Sequence, residues 1–154
     1  MAKVEVETPK DLAAYVGKEI GVSDWVSITQ ERINQFADTT GDHQWIHVDV
    51  EKAKKEMPGG KTIAHGFLTL SLVPMLAHDI LRIRKVSRGL NYGCNKVRFT
   101  NMVPAGSRVR GRQKLIAADP VDGNGIRFTY QFTIEIEGKD KPACVAETMT
   151  IAYG

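Results

Sequence analysis

Asp42 and His47 stand five residues apart in the short stretch Gly41-Asp42-His43-Gln44-Trp45-Ile46-His47-Val48-Asp49. A carboxylate and an imidazole on one loop can hold a water molecule between them, remove a proton from it and deliver one to a substrate. Such general acid–base work contributes typically ~10²–10⁴-fold. Downstream, Ala64-His65-Gly66 opens a long apolar segment. A helix beginning there presents unpaired N–H groups and a positive partial charge, which suits a developing oxyanion. Gly66 lets a ligand approach that backbone closely. Each of these residues taken alone is also what turns, caps and packed cores use. Their combination carries the reading.

A metal site is the other chemistry these residues could support. His43-x3-His47-x-Asp49 has ligand-like spacing, but the zinc-protease helix motif needs Glu directly after its first His, where this chain has Gln44. No metal is expected.

The flanking sequence shows what must position the pair. Thr29 is placed to cap a helix in which Ile33, Phe36 and Ala37 share one face, with Gly41 in the usual C-terminal role. Asp42 to Asp49 reads as irregular, and Asp49 caps a second short helix, Val50 to Glu56, ahead of Pro58-Gly59-Gly60. Gly66 to Leu81 is apolar on nearly all sides, which predicts a helix buried on most faces, with a kink or a first-turn break at Pro74. Ile20 to Val26 reads as a strand. After Ser87 the period changes to two: Lys96 to Phe99, Arg108 to Ile116, Ile126 to Ile136 and Ala143 to Tyr153 alternate. The turn signals Asp122-Gly123-Asn124-Gly125 and Glu137-Gly138-Lys139-Asp140 join the last three into an antiparallel meander. The layout is α+β, with one buried helix that a curved sheet could wrap.

Composition excludes several classes. The 154 residues suit one domain spanning 1–154. A net charge of +3 with both signs interspersed does not have the concentrated basic face of a nucleic-acid binder. Cys94 and Cys144 are too few for a disulfide framework, and no C-x-x-C offers a thiolate metal site. Met1 to Gly17 lacks the apolar core of a secretory signal, and the longest apolar run, Phe67 to Ala77, is far short of a membrane span. These features point to a soluble cytoplasmic protein with reduced thiols.

Phe36-Ala37-x-x-Thr40-Gly41-Asp42-x-x-x-Ile46-His47-x-Asp49 resembles the hydratase-2 motif of the MaoC-like dehydratases, the (R)-specific enoyl-CoA hydratases. Ile63-Ala64-His65-Gly66 is similar to that family's second segment, and Val97-x-Phe99 followed by Val103-Pro104-Ala105-Gly106 to its third. The resemblance runs from about Val26 to Tyr153. Where the family usually has Asn-Pro, this chain has Gln44-Trp45, as in the branch that resembles nodulation protein N.

The resemblance implies a hot-dog fold, a long central helix wrapped by an antiparallel sheet, in a homodimer. It implies reversible addition of water to a trans-2-enoyl-CoA, giving an (R)-3-hydroxyacyl-CoA, with no cofactor. Asp42 and His47 would be the acid–base pair and the Gly66 N–H the carbonyl's donor. Gln44, Trp45, Ala64 and His65 would shape the substrate site, with Trp45 either lining the acyl pocket or packing under the loop. Lys96, Arg98, Arg108, Arg110 and Arg112 either touch CoA phosphates or form a solvated sheet face, and Lys96 and Arg98 are the pair assigned to the substrate. Two rivals remain: a hot-dog acyl-CoA thioesterase, and an acyl-thioester binding module without turnover.

Overall fold

The computed structural model describes residues 2–154; Met1, first residue of the N-terminal stretch read above, lies outside them. In chain order the elements are β1 (Val4–Val6), α1 (Pro9–Ala13), β2 (Glu19–Val22), β3 (Val26–Ser27), α2 (Gln30–Thr40), α3 (Trp45–Val48) and α4 (Val50–Glu56). Then come α5 (Gly66–Ser71), α6 (Val73–Ile80), β4 (Leu81–Ile83), β5 (Arg88–Phe99), β6 (Arg108–Val121), β7 (Gly125–Ile136) and β8 (Cys144–Tyr153).

The main sheet is antiparallel, in the order β2-β6-β7-β8-β5, with β3 beside β6. The expected meander is β6-β7-β8. Its first turn places Gly123 and Asn124 at positive φ, and its second places Gly138 there. Inward positions alternate along these strands, so Val109, Leu115, Phe128, Phe132, Ile134 and Ile136 build the core with Leu68, Leu72, Leu76 and Ile80 of the helix. The helix approaches β6 closely because Gly111 has no side chain; a Cβ there would lie 3.2 Å from Leu76 Cβ.

Some expectations need correction. The strand expected over Ile20 to Val26 is broken: it leaves the ladder at Ser23, whose N–H donates to Gly111 O and whose Oγ accepts the Gly111 N–H at 2.8 Å. The central helix divides at Leu72, which puts Pro74 in the first turn of α6, the first-turn break the sequence allows there. Pro74 has no N–H for Leu70 O, so the preceding turn tightens, with Leu72 N–H donating to Thr69 O, before α-helical bonding resumes from Leu76 to Leu72. Its end also moves, for Leu81 belongs to β4, which pairs in parallel with β1.

Nor is that helix buried on most sides. Leu68, Thr69, Leu72, Leu76 and Ile80 face the sheet, whereas Phe67 is 67% exposed and Met75 39%. The long edge strand β5 is exposed along nearly its whole length, including Leu90, Tyr92 and Phe99.

Candidate active site

Local caps place the first half of the site. Thr29 Oγ1 accepts the Arg32 N–H and starts α2, and Gly41 ends it in the left-handed conformation, φ 83°, with its N–H on Ala37 O. Gly41 thereby turns the chain so that Asp42 leaves the helix axis. The next residues form the single turn α3, which holds His47 at 6% exposure. Asp49 Oδ1 then accepts the Lys52 N–H and begins α4.

His47 is held from both sides. Its Nδ1 lies 2.7 Å from Ile63 O. A carbonyl only accepts, so neutral His47 carries its proton on Nδ1 and leaves the lone pair of Nε2 free. The Gln30 side chain donates to His47 O at 2.7 Å and accepts from the Thr62 hydroxyl. The strap from Thr62 to Ala64 is clamped in turn: Ile63 N–H donates to Ile46 O, Ala64 N–H to Val103 O, and Ala105 N–H to Thr62 O. This gives the Val103-Pro104-Ala105 segment its task, which is to fix the strap leading into α5.

His65 ends that strap. Its Nε2–H donates to Asp42 O at 3.0 Å, its ring stacks on His47 with centroids 3.8 Å apart, and Phe36 packs at 5.0 Å. The remaining nitrogen, Nδ1, is buried without a partner among the described residues. Gly66 follows as the first residue of α5, where its N–H has no intrahelical acceptor. The atom that a side chain would occupy at Gly66 is displaced by protein, for a Cβ there would meet the Phe99 ring at 2.7–2.9 Å. The absence of a side chain at Gly66 thus leaves room for the Phe99 ring.

The structure brings Asp42, His47 and His65 together, one polar side-chain atom of each lying within 4.8 Å of the others. It does not assemble His43, His47 and Asp49: Asp49 caps α4, and His43 Nε2 pairs with Asp38 at 2.9 Å. The assembled three are a poor metal cradle. Zinc–ligand bonds are ~2.0–2.2 Å, and stacked imidazoles aim their lone pairs in nearly parallel planes rather than at one point. An exposed carboxylate beside a buried imidazole with a free Nε2 can instead hold and polarise water.

The other expected residues are dispersed. Gln44 is exposed at the start of α3. Trp45 is half-buried at the α3–α4 corner with the Lys52 ammonium 4.5 Å from its ring centre. Ala64 is buried in the strap. Lys96 and Arg98 are exposed on β5 beside Phe99 and make no ion pair among the described residues. Arg108, Arg110 and Arg112 are paired instead, with Glu137, with Glu135, and with Glu19 and Glu135. Gln30 and Thr62 carry no chemical signal in the sequence, because a polar residue opening a helix and a threonine in a loop are ordinary.

Residues 11–132 match the family model of the MaoC-like domain. The chain is 52% identical over 143 residues to 3-hydroxyacyl-thioester dehydratase Z of Mycobacterium tuberculosis, covering 93% of this chain and 94% of the relative. It belongs to the MaoC-like dehydratase family. Nodulation protein N of Rhizobium leguminosarum bv. viciae is 45% identical, covering 92% and 88% of the two chains, which agrees with the Gln44-Trp45 variant of the motif. Among solved structures, an (R)-hydratase from A. caviae superposes with a TM-score of 0.67 at 20% identity, covering 88% of this chain and 94% of that one. That likeness bears on fold, and the MaoC-like chain has the hot-dog arrangement of helix and sheet. Membership places the chain among the hydro-lyases. No helix among the described residues is long and apolar enough to cross a membrane.

Proposed function

We propose that this chain adds water reversibly to trans-2-enoyl-CoA thioesters, giving (R)-3-hydroxyacyl-CoA, as one hot-dog domain. The observation that carries the reading is the meeting of the Asp42 carboxylate with His47 and His65 at the start of α5. Family membership and the thioester named for the mycobacterial relative support it.

In this reading the thioester carbonyl accepts the Gly66 N–H, which draws charge from the conjugated double bond and makes C3 electrophilic. Asp42 and His47 hold one water. Asp42 removes its proton as oxygen bonds to C3, and protonated His47 delivers a proton from Nε2 to C2. The proton then returns from Asp42 to His47 through exchanging water after product leaves. Lys96 and Arg98, free of carboxylate partners among the described residues, receive CoA phosphates at the β5 rim. The acyl chain enters a chamber of about 980 Å³ between α5–α6 and the sheet, with Leu70 and Ser71 of α5 in its wall.

The bare face of α5–α6 and the unpaired edge of β5 support a homodimer, because an exposed apolar edge this long invites pairing with another chain. Light scattering at micromolar concentration should give twice the chain mass. The free thiols of Cys94 and Cys144 fit a reducing, cytoplasmic setting.

A thioesterase would be favoured by a carboxylate near the start of the central helix. The only acid on that helix is Asp79, which accepts the Asp24 N–H at 2.6 Å near the far end.

The test follows the loss of enoyl-thioester absorbance with crotonyl-CoA, with chiral analysis of the product. Wild type should give (R)-3-hydroxybutyryl-CoA, and Asp42→Asn and His47→Ala should each be slower by ~10²–10⁴-fold. Thiol release from a saturated acyl-CoA would establish the thioesterase. Equal ligand binding by wild type and Asp42→Asn, with turnover by neither, would establish the binding module.

A further inference from the structure

The chamber behind the central helix has a polar floor. Most of its wall is apolar, including Leu70, Val73 and Ala77 on the helix side. On the sheet side, however, three polar side chains sit in adjacent strands: Gln113 on β6, Tyr130 on β7 and Thr148 on β8. Their exposures are 2%, 5% and 8%.

The strand register puts them in one band. Tyr130 opposes Thr148 directly, and Gln113 lies diagonal to Tyr130, because Leu115 is the residue opposite Tyr130 and Phe132 the one opposite Gln113. All three share the inward face with core residues such as Val109, Leu115 and Phe132. The fold itself asks for an apolar side chain at position 113, as at 109 and 115.

Gln113 Oε1 is buried and has no hydrogen-bond partner among the described residues. Buried polar atoms are almost always paired, and an exception points to a missing partner. Burial keeps the Tyr130 phenol protonated far above the ordinary range, opposed only in part by the Thr150 side chain. A phenol that stays protonated has its oxygen lone pairs available to a further donor. The band thus offers acceptors from Gln113 and Tyr130 and donors from the Gln113 amide, inside an otherwise apolar cavity.

We propose that this floor selects acyl chains that carry a hydroxyl group beyond the reacting carbons. A hydroxyl can donate to Gln113 Oε1 and at the same time accept a hydrogen bond, whereas a plain alkyl chain leaves that oxygen unpaired. The proposal rests on the reading of the chamber as the acyl site, and it adds the chemical class of the chain.

The experiment is calorimetric, so it does not depend on turnover. Saturated acyl-CoAs of one chain length are compared, plain and with a hydroxyl moved along the chain. Wild type should bind one hydroxylated isomer about 10-fold more tightly than the plain chain, the worth of about one net hydrogen bond. Gln113→Leu should abolish or invert that ratio by losing the hydroxylated ligand and gaining the plain one. Tyr130→Phe, which removes a single oxygen, should reduce the ratio and carries the test if Gln113→Leu fails to fold. Equal affinities for every isomer in wild type, or a preference that survives both substitutions, would overturn the proposal. A keto isomer binding as well as the hydroxylated one would also overturn it, because a keto group cannot donate to Gln113 Oε1. Turnover of crotonyl-CoA is measured separately. Its absence sinks the hydratase reading, and equal affinities in an enzyme that does hydrate crotonyl-CoA sink only the floor.

Discussion

The imidazoles of His47 and His65 lie stacked, with ring centres 3.8 Å apart and planes inclined by 24°. The same His65 donates from Nε2 to Asp42 O at 3.0 Å. One side chain therefore supports both members of the proposed acid–base pair, fixing the backbone of one and the ring plane of the other. His65→Ala should lower kcat by ~10–10²-fold with a smaller change in KM, since small misplacements of reacting groups are costly. His65→Phe keeps the stack and loses the hydrogen bond, so it should fall between wild type and alanine. Steady-state kinetics on all three, with the pH profile of kcat, checks this. A phenylalanine variant no better than alanine would show that the bond to Asp42 matters more than the stack.

Gly66 and Phe99 fit by contact. A Cβ on residue 66 would stand 2.7–2.9 Å from the Phe99 ring, which itself meets Phe67 edge-on at 5.6 Å. Gly66→Ala should cost about 1–3 kcal/mol by overpacking. Adding Phe99→Leu should recover part of that loss. Urea unfolding of the double-mutant cycle gives the coupling, and additive losses would mean that the ring moves aside freely.

Gln30 ties α2 to α3 and to the strap before α5, through His47 O and the Thr62 hydroxyl. Gln30→Ala leaves a carbonyl and a buried hydroxyl unpaired and should destabilise the protein by ~1–3 kcal/mol. Because the same bonds position His47, kcat should fall as well. Gln30→Glu restores an acceptor for Thr62 but no donor for His47 O, so stability should recover further than turnover. Chemical denaturation and initial rates on the same preparations compare the two.

His43 sits beside the site with its pKa raised, chiefly by its hydrogen bond to Asp38, and less by the Gly41 backbone and the charge of Asp42. The folded value lies above the unfolded one, so this pair's contribution to stability is complete below about pH 6.5 and disappears as pH rises through the raised folded value. Asp38→Asn should return the His43 titration toward its ordinary range. NMR titration of the imidazole reads the shift directly. An unchanged titration in that variant would assign it to Asp42 and the backbone instead.

Features set within four or five residues could be read from the sequence. Thr29, Gly41 and Asp49 act as caps where their types predict, because a cap is a bond between near neighbours. The meander follows from alternation and from turn residues that accept positive φ. Asp42 and His47 were visible for the same reason, being five residues apart. The family motif extended that reading to the hot-dog fold.

What needed the tertiary structure involves partners far apart in the chain. His65 reaches Asp42 across 23 residues, and Gln30 reaches Thr62 across 32. No local pattern announces either bond, since each exists only once the strap is clamped between α3 and the Val103–Ala105 segment. The short parallel pair β1–β4 is not legible in the sequence, because three residues carry too little periodicity and Leu81 continues the apolar run of the helix. Composition showed the central helix to be apolar all round, but which face meets the sheet is decided by packing. The polar band of Gln113, Tyr130 and Thr148 appears only when three strands fall into register. Sequence alone thus determined the elements and the nearness of Asp42 to His47, through interactions between near neighbours. Tertiary packing decided the supports around that pair and the shape and polarity of the chamber, through contacts between residues that the chain itself keeps apart.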